Sequence, residues 1–168
     1  QALQHWLNRN TRRQARRNIY AHYDIGNAFY SSWLDPSMTY SSALFEDGST
    51  DLTAAQNNKY RRLAEAIDLK PGQKLLEIGC GWGGFAEYAA KTHGTKIVGL
   101  TISKEQRDFA QARMQKAGLN DLVEIRLQDY RDERDRYDRI ASIEMIEAVG
   151  EQFWPNYFSQ LRDRLLPG

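Results

Sequence analysis

Leu75-Leu76-Glu77-Ile78-Gly79-Cys80-Gly81-Trp82-Gly83-Gly84 is the stretch that decides the fold. A short apolar strand runs straight into a glycine cluster, and an alanine-rich helical stretch follows as far as His93. Glycine permits the tight turn and leaves backbone open that Cβ atoms would otherwise shield from a ligand. Toward the C-terminus, residues 96–102 read as a second strand, and Ser103 opens a helix that ends at Gly118. Residues 123–127 form a third strand and 139–143 a fourth, and Pro155, a good first-turn residue, begins a helix to Leu165. Strands alternating with helices at this spacing imply right-handed βαβ units, hence an α/β fold with a doubly wound parallel sheet.

Upstream of Pro71 the reading is helical. Asp24 caps a short helix through Trp33, which Asp35-Pro36 ends, and a turn-rich stretch runs over 37–50. Asp51 or Ser49 then starts a stronger helix carrying Leu52, Ala55, Tyr60, Leu63, Ala66 and Ile67, closed by Pro71-Gly72. Residues 1–70 therefore read as a helical leader or lid, and 71–168 as the sheet-bearing part. With 168 residues, 41% hydrophobic and 27% charged, the chain suits one domain with a real core and excludes wholesale disorder. Its apolar runs are too short for a membrane-spanning helix or a signal peptide. The single cysteine, Cys80, excludes an internal disulfide and a Cys-clustered zinc site, and fits a reducing, cytoplasmic compartment. No metal ligand set is read. The first 23 residues hold five arginines (Arg9, Arg12, Arg13, Arg16, Arg17) and no acid, which suits an anionic partner or a solvated helix face.

The glycine loop admits more than one cofactor. Gly79, Gly81 and Gly84 satisfy the dinucleotide pattern GxGxxG. That reading wants an acid about 20 residues on, to hold the ribose, and no acidic residue lies between Glu87 and Glu105. The spacing of Glu77, Gly79, Gly81 and Gly83 instead puts an acid just before the loop, where it can receive an amino group, as S-adenosylmethionine carries, or orient the loop. A glycine turn that only packs a helix on a strand is a third reading. Gln106 follows Ser103 by three, so it either completes a pocket or a capping box. Asp129, after the third strand, either receives an adenine amino group or is an exposed loop aspartate.

Several motifs in order give the chain a wider resemblance. They are His22-Tyr23-Asp24-Ile25-Gly26-Asn27-Ala28-Phe29-Tyr30, Thr39-Tyr40-Ser41, and the loop from Glu77 to Gly83. Gly99-Leu100-Thr101-Ile102-Ser103 with Gln106, Gln128-Asp129-Tyr130, and Glu144-Met145-Ile146-Glu147-Ala148-Val149-Gly150 complete the set. With these the chain resembles the cyclopropane-fatty-acyl-phospholipid and mycolic acid cyclopropane synthases. The resemblance implies a Rossmann-like methyltransferase fold, here ending after the fourth strand and its helix, and methylene transfer from S-adenosylmethionine to a cis double bond of a phospholipid acyl chain. It implies cofactor contacts at Tyr40, Ser41, Gly79, Gly81, Thr101, Ile102, Gln106, Asp129 and Tyr130. It further implies a bound bicarbonate as base, gripped by Glu147 and by backbone near Tyr40 to Ser42. Ser42 stands where many members have cysteine, and the family's downstream His and Tyr ligands of that anion have no counterpart here. Tyr30 and Trp33 are candidates to steady a passing cation, and Glu144 reads as a helix-start carboxylate.

The expected partners are unsaturated phospholipid acyl chains at the inner membrane face, with peripheral contact through the arginine leader, and a second copy covering the open sheet edge. Rival readings are a methyltransferase of a small amine or another lipid, and a non-catalytic lipid-surface module. A nucleic-acid enzyme has only the arginines in its favour, without a base-stacking pattern. Replacing Arg12, Arg13, Arg16 and Arg17 should weaken binding to anionic liposomes, steeply with salt, since the Debye length is about 10 Å at ~0.1 M. Equal liposome binding by both proteins at low salt excludes a membrane role for the leader.

Overall fold

The computed structural model describes residues 26–46 and 48–167. Ahead of the sheet lie a short helix, α1 (Asn27–Ser31), and a long one, α2 (Leu52–Ala66). The arginine leader and Asp24, the expected helix cap, fall outside the described residues. Strand β1 (Lys74–Ile78) buries Leu75, Leu76, Glu77 and Ile78, so both of its faces need cover. It pairs in parallel with β2 (Lys96–Thr101) on one side and β4 (Arg139–Ser142) on the other, while β3 (Val123–Leu127) continues outward from β2. The resulting order is β3-β2-β1-β4. Register sets Leu75 beside Ile97 and Arg139, and Leu76 beside Val98 and Ile140.

Side chains alternate along each strand, which sorts the core into two layers. Leu75, Ile97, Val123, Ile125 and Ala141 share one face. Tyr60 and Ala64 of α2 cover it, together with Phe85, Ala86, Ala89 and Ala90 of α3 (Gly84–His93) and Ala110 and Met114 of α4 (Lys104–Lys116). The alanines let α3 approach the sheet closely. Leu76, Ile78, Val98 and Leu100 face the other way, against Tyr137, which is wholly buried, and the partly buried Leu161 of the last helix. The link from β3 to β4 crosses this second face without an α-helix, through the 3₁₀ turn Tyr130–Asp132. After β4 come the one-turn α5 (Ile146–Val149) and then α6 (Trp154–Arg164). Beyond α6, Leu165 bridges Tyr137 in parallel, so the flank of β4 is engaged at its start.

The expected strands match within one residue, but α2 stops short of Pro71. Asp68 takes φ +49°, and the N–H groups of Asp68 and Leu69 return to the carbonyls of Glu65 and Ala64, each at 3.0 Å. That six-residue closure satisfies the last carbonyls before proline is reached. At the other end, Asp51 accepts from the N–H of Thr53 at 2.9 Å and of Ala54 at 3.2 Å, which fixes it rather than Ser49 as the cap.

The segment before α2 rests on the start of α3. A Cβ at Gly84 would lie 2.5 Å from the Tyr60 hydroxyl and 3.1 Å from both Ser37 O and Thr39 Oγ1. Gly84→Ala should therefore destabilise the chain in urea, and Tyr60→Phe should absorb part of that loss. A coupling of about 1 kcal/mol is expected for groups in contact. Strictly additive effects of the two substitutions would show that the hydroxyl does not press on this helix start.

Candidate functional site

The strand order reverses between β1 and β4, and in open α/β sheets a crevice forms at the carboxyl ends beside such a reversal. A cavity of about 1070 Å³ lies there, walled by the glycine loop, the ends of β2 and β3, and residues 33–45. The loop is pinned by Gly79 and Cys80, whose N–H groups both donate to Leu100 O at 2.9 Å. Gly79, Gly81 and Gly83 take φ of 78°, 54° and 82°, a left-handed run that side-chain-bearing residues adopt only at a cost. Gly79 and Gly81 border the cavity, and Gly83 does not. A Cβ on Gly83 would meet Met114 Cε at 3.0 Å and Ala110 Cβ at 3.1 Å, so its bareness serves the packing of α3 on α4.

Glu77 borders the cavity while only 3% exposed, and its Oε2 has no hydrogen-bond partner among the described residues. Burial pushes its carboxyl up to about 8, against the opposing pull of the Ala86 N–H and the Arg113 guanidinium. Arg113 itself ties three elements together, donating to Ser37 O at 2.6 Å and Trp82 O at 3.3 Å and pairing with Glu87.

Thr101, Ile102 and Gln106 form the next wall. The Thr101 hydroxyl donates to Gln106 Oε1 at 2.9 Å, and Ser103 Oγ accepts from the Gln106 N–H at 3.3 Å. This is half a capping box: the Ser103 N–H goes to Thr101 Oγ1, at 3.2 Å, and not to the Gln106 side chain. Asp129, Tyr130 and Arg131 wall the cavity beyond β3. Asp129 is 4% exposed, which excludes the exposed-loop reading, and it accepts from Arg131 at the backbone N–H (3.0 Å), Nε (2.8 Å) and Nη2 (2.5 Å).

Tyr40, Ser41 and Ser42 complete the cavity, held from two sides. From α2, Gln56 Nε2 donates to Ser41 O at 3.0 Å, and Lys59 Nζ donates to Ser41 Oγ at 2.5 Å and Ser42 O at 2.6 Å. Desolvation lowers the Lys59 ammonium to about 8, although Glu144 and Asp35 pull it upward. From the end of β4, Glu144 Oε1 accepts the Ser42 N–H at 2.8 Å and also the Ser42 hydroxyl. Here the helix-start expectation fails. Glu144 has φ +47° and precedes a helix that begins at Ile146, so its carboxylate is spent on Ser42 and not on helix N–H groups. Glu147, within α5, is exposed and does not border the cavity. Trp33 borders the cavity, whereas Tyr30 lies buried beneath it, its ring 4.9 Å from Trp82 and 5.4 Å from Tyr40.

Gln56, Lys59, Arg131 and Glu144 were not singled out as site residues from the sequence. For Gln56 and Lys59 the signal was there, since polar residues three apart sit on α2 beside the core residues Ala55 and Tyr60.

Residues 10–168 match the model of the family described as mycolic acid cyclopropane synthetase. The chain is 46% identical over 146 residues to the cyclopropane-fatty-acyl-phospholipid synthase of Escherichia coli K12, covering 87% of this chain and 37% of that protein. It is 44% identical over 165 residues to the tuberculostearic acid methyltransferase UfaA1 of Mycobacterium tuberculosis, covering 94% and 38%. The crystal structure of mycolic acid cyclopropane synthase CmaA1 complexed with SAH and CTAB superposes with a TM-score of 0.84 at 34% identity, over 90% of this chain and 53% of that one. The chain thus spans little more than a third of these curated relatives, and it has the Rossmann-like fold of methyltransferases.

The raised carboxyl of Glu77 has a consequence for stability. The native state keeps a proton that the unfolded chain releases near 4.5, so stability should fall as pH rises from there to about 8. Glu77→Gln removes that slope, and its urea midpoint should overtake wild type toward pH 8. Parallel midpoint curves for the two proteins across this range would mean that Glu77 is not held protonated.

Proposed function

The chain belongs to the mycolic acid cyclopropane synthetase family, and from that premise we propose that its cavity binds S-adenosylmethionine and serves methylene transfer to a cis double bond of an unsaturated phospholipid acyl chain. The carrying observation is Glu77 Oε2 at the glycine-lined wall, which has no hydrogen-bond partner among the described residues. A buried acceptor left unsatisfied costs about 1–3 kcal/mol, more for a charged group, and a ligand bearing amino or hydroxyl donors removes that cost. The cradle fits the cofactor in other respects too. Gly79 and Gly81 admit it close to backbone, Thr101 and Gln106 offer a preformed polar wall, and Asp129 suits an adenine amino group. When bound, S-adenosylmethionine supplies an electrophilic methyl group that the π electrons of an alkene can attack.

An alkene is a weak nucleophile, so the residues around it must act by position and by charge. Trp33 and Tyr40 present aromatic faces at the cavity that can stabilise a passing cation. The mouth is apolar: Trp33 is 49% exposed, Phe45 52% and Leu52 37%, which supports an acyl chain over a small amine as substrate. No described helix is long and apolar enough to cross a membrane. The bicarbonate implied by the resemblance does not fit these residues. The Ser42 N–H and hydroxyl are both given to Glu144, and Glu147 lies off the cavity.

Calorimetry with this chain should detect S-adenosylmethionine binding, weakened at least about tenfold by Glu77→Gln, about 1.4 kcal/mol. The full-length protein that carries this sequence, given vesicles of unsaturated phospholipid and methyl-labelled cofactor, should yield acyl chains heavier by one CH2 with a cyclopropane methylene in the NMR spectrum. A methyl or methylene branch without a ring would favour the related reading as a lipid methyltransferase. Vesicle binding without any cofactor binding would leave a non-catalytic lipid module.

A further inference from the structure

We propose that Glu144 is the catalytic base of this protein, its carboxylate occupying the place of a bound anion; the inference rests on the methyl-transfer reading above. A carboxylate and a bicarbonate present the same planar pair of oxygens, and one set of donors cannot hold both. In this chain the donors of Ser42 are already committed, with its N–H 2.8 Å from Glu144 Oε1 and its hydroxyl on the same oxygen. Charge-assisted bonds of this kind orient a carboxylate strongly. Both end on Oε1, which leaves Oε2 as the proton acceptor.

Position supports the role. Glu144 borders the same cavity as Gly79 and Gly81, just beyond β4, and Met145, its neighbour in sequence, lies against the glycine loop with Sδ 3.4 Å from where a Gly79 Cβ would be. Lys59 holds Ser41 Oγ and Ser42 O, fixing the segment to which the carboxylate is bound. Glu144 also holds a left-handed backbone conformation, φ +47°, that glycine would adopt freely. Such strain, of order 1–3 kcal/mol, clusters at functional sites.

The step balances within the site. Once the acyl chain carries the new methyl group and an adjacent cationic carbon, one methyl C–H bond breaks. Its proton goes to Glu144 Oε2, its electron pair forms the bond to the cationic carbon and closes the ring, and the carboxyl then returns the proton to water.

Glu144→Gly suits the local backbone and frees the Ser42 donors, whereas Glu144→Gln keeps a neutral group upon them. Binding of 13C-bicarbonate to this chain, followed by NMR, should be undetectable for wild type and appear in Glu144→Gly. In the full-length protein with unsaturated vesicles, wild type should turn over undiminished in carbonate-free buffer. Both variants should lose at least about 100-fold there, the usual scale of a positioned base, with S-adenosylmethionine affinity unchanged. Added bicarbonate should restore Glu144→Gly and not Glu144→Gln. The proposal is overturned if wild type needs bicarbonate, if Glu144→Gly keeps full turnover without it, or if cofactor affinity falls in step with turnover, which would make Glu144 a structural staple. Should the wild-type protein methylate no alkene, the methyl-transfer reading fails by itself. The binding arm then still decides, because bicarbonate held equally by wild type and Glu144→Gly refutes the displacement.

Discussion

Leu75, Leu76, Glu77 and Ile78 put four successive side chains of one central strand out of water, and the remaining architecture answers that burial. Strands on both edges satisfy its backbone, and helices or a crossover must cover both faces. The cover differs on the two sides: three helices pack on the Leu75 face, while Tyr137 and α6 close the Leu76 face. Because β4 joins β1 on the side opposite β2, the sheet reverses there and leaves its carboxyl ends open as a cavity. Glu77 is the cost of this arrangement, a carboxyl drawn into the core by its place on the strand and kept uncharged near neutrality by desolvation.

The segment before α2 completes the cavity by polar stitching beside a small buried cluster of Tyr30, Met38 and Trp82. Asp35, Ser37, Thr39 and Tyr60 share a run of hydroxyl and carboxylate bonds that ends against Gly84. Arg113 crosses from α4 to Ser37 O and Trp82 O, and Trp82 Nε1 donates to Asn27 Oδ1 at 2.7 Å. These bonds join leader, loop and helix at one place, so the walls of the cavity are positioned together. An interior polar network of this kind favours one arrangement, since each member left alone would be a buried unsatisfied group.

The polar and apolar parts of the cavity are separated. Glu77, Gln106 and Asp129 are buried where the strands end, and the exposed aromatics stand at the mouth. A ligand with a polar, amino-bearing end and a partner that is mostly hydrocarbon would use these two regions in turn. Ser42 and Glu144 meet on the wall of the same cavity, bonded to each other across 102 residues of sequence.

The local code of this chain is plain in its sequence, because it depends on residues near one another. Strand periods, the glycine turn, Ser103 as a helix start, and the alternation of strand and helix all follow from such spacing, and the wider motif set carried the family; the choice of Asp51 over Ser49 as cap came from the structure. Glu77, Gly79, Gly81, Gln106 and Asp129, which spacing singled out, and Thr101, which the resemblance supplied, all line the cavity, since each sits at a strand end or in a turn or cap beside one. Tertiary structure alone decided the rest. Gly83 lies off the cavity because Ala110 and Met114, from another helix, need its space. Glu144 serves Ser42 and not a helix start, because the left-handed turn after β4 aims its side chain at a segment a hundred residues away. Lys59 and Gln56 read as one helix among many until the fold lays Ser41 and Ser42 across them. Short-range spacing is written in the chain; which distant side chains share a cavity is settled by how a sheet buried on both faces must be covered.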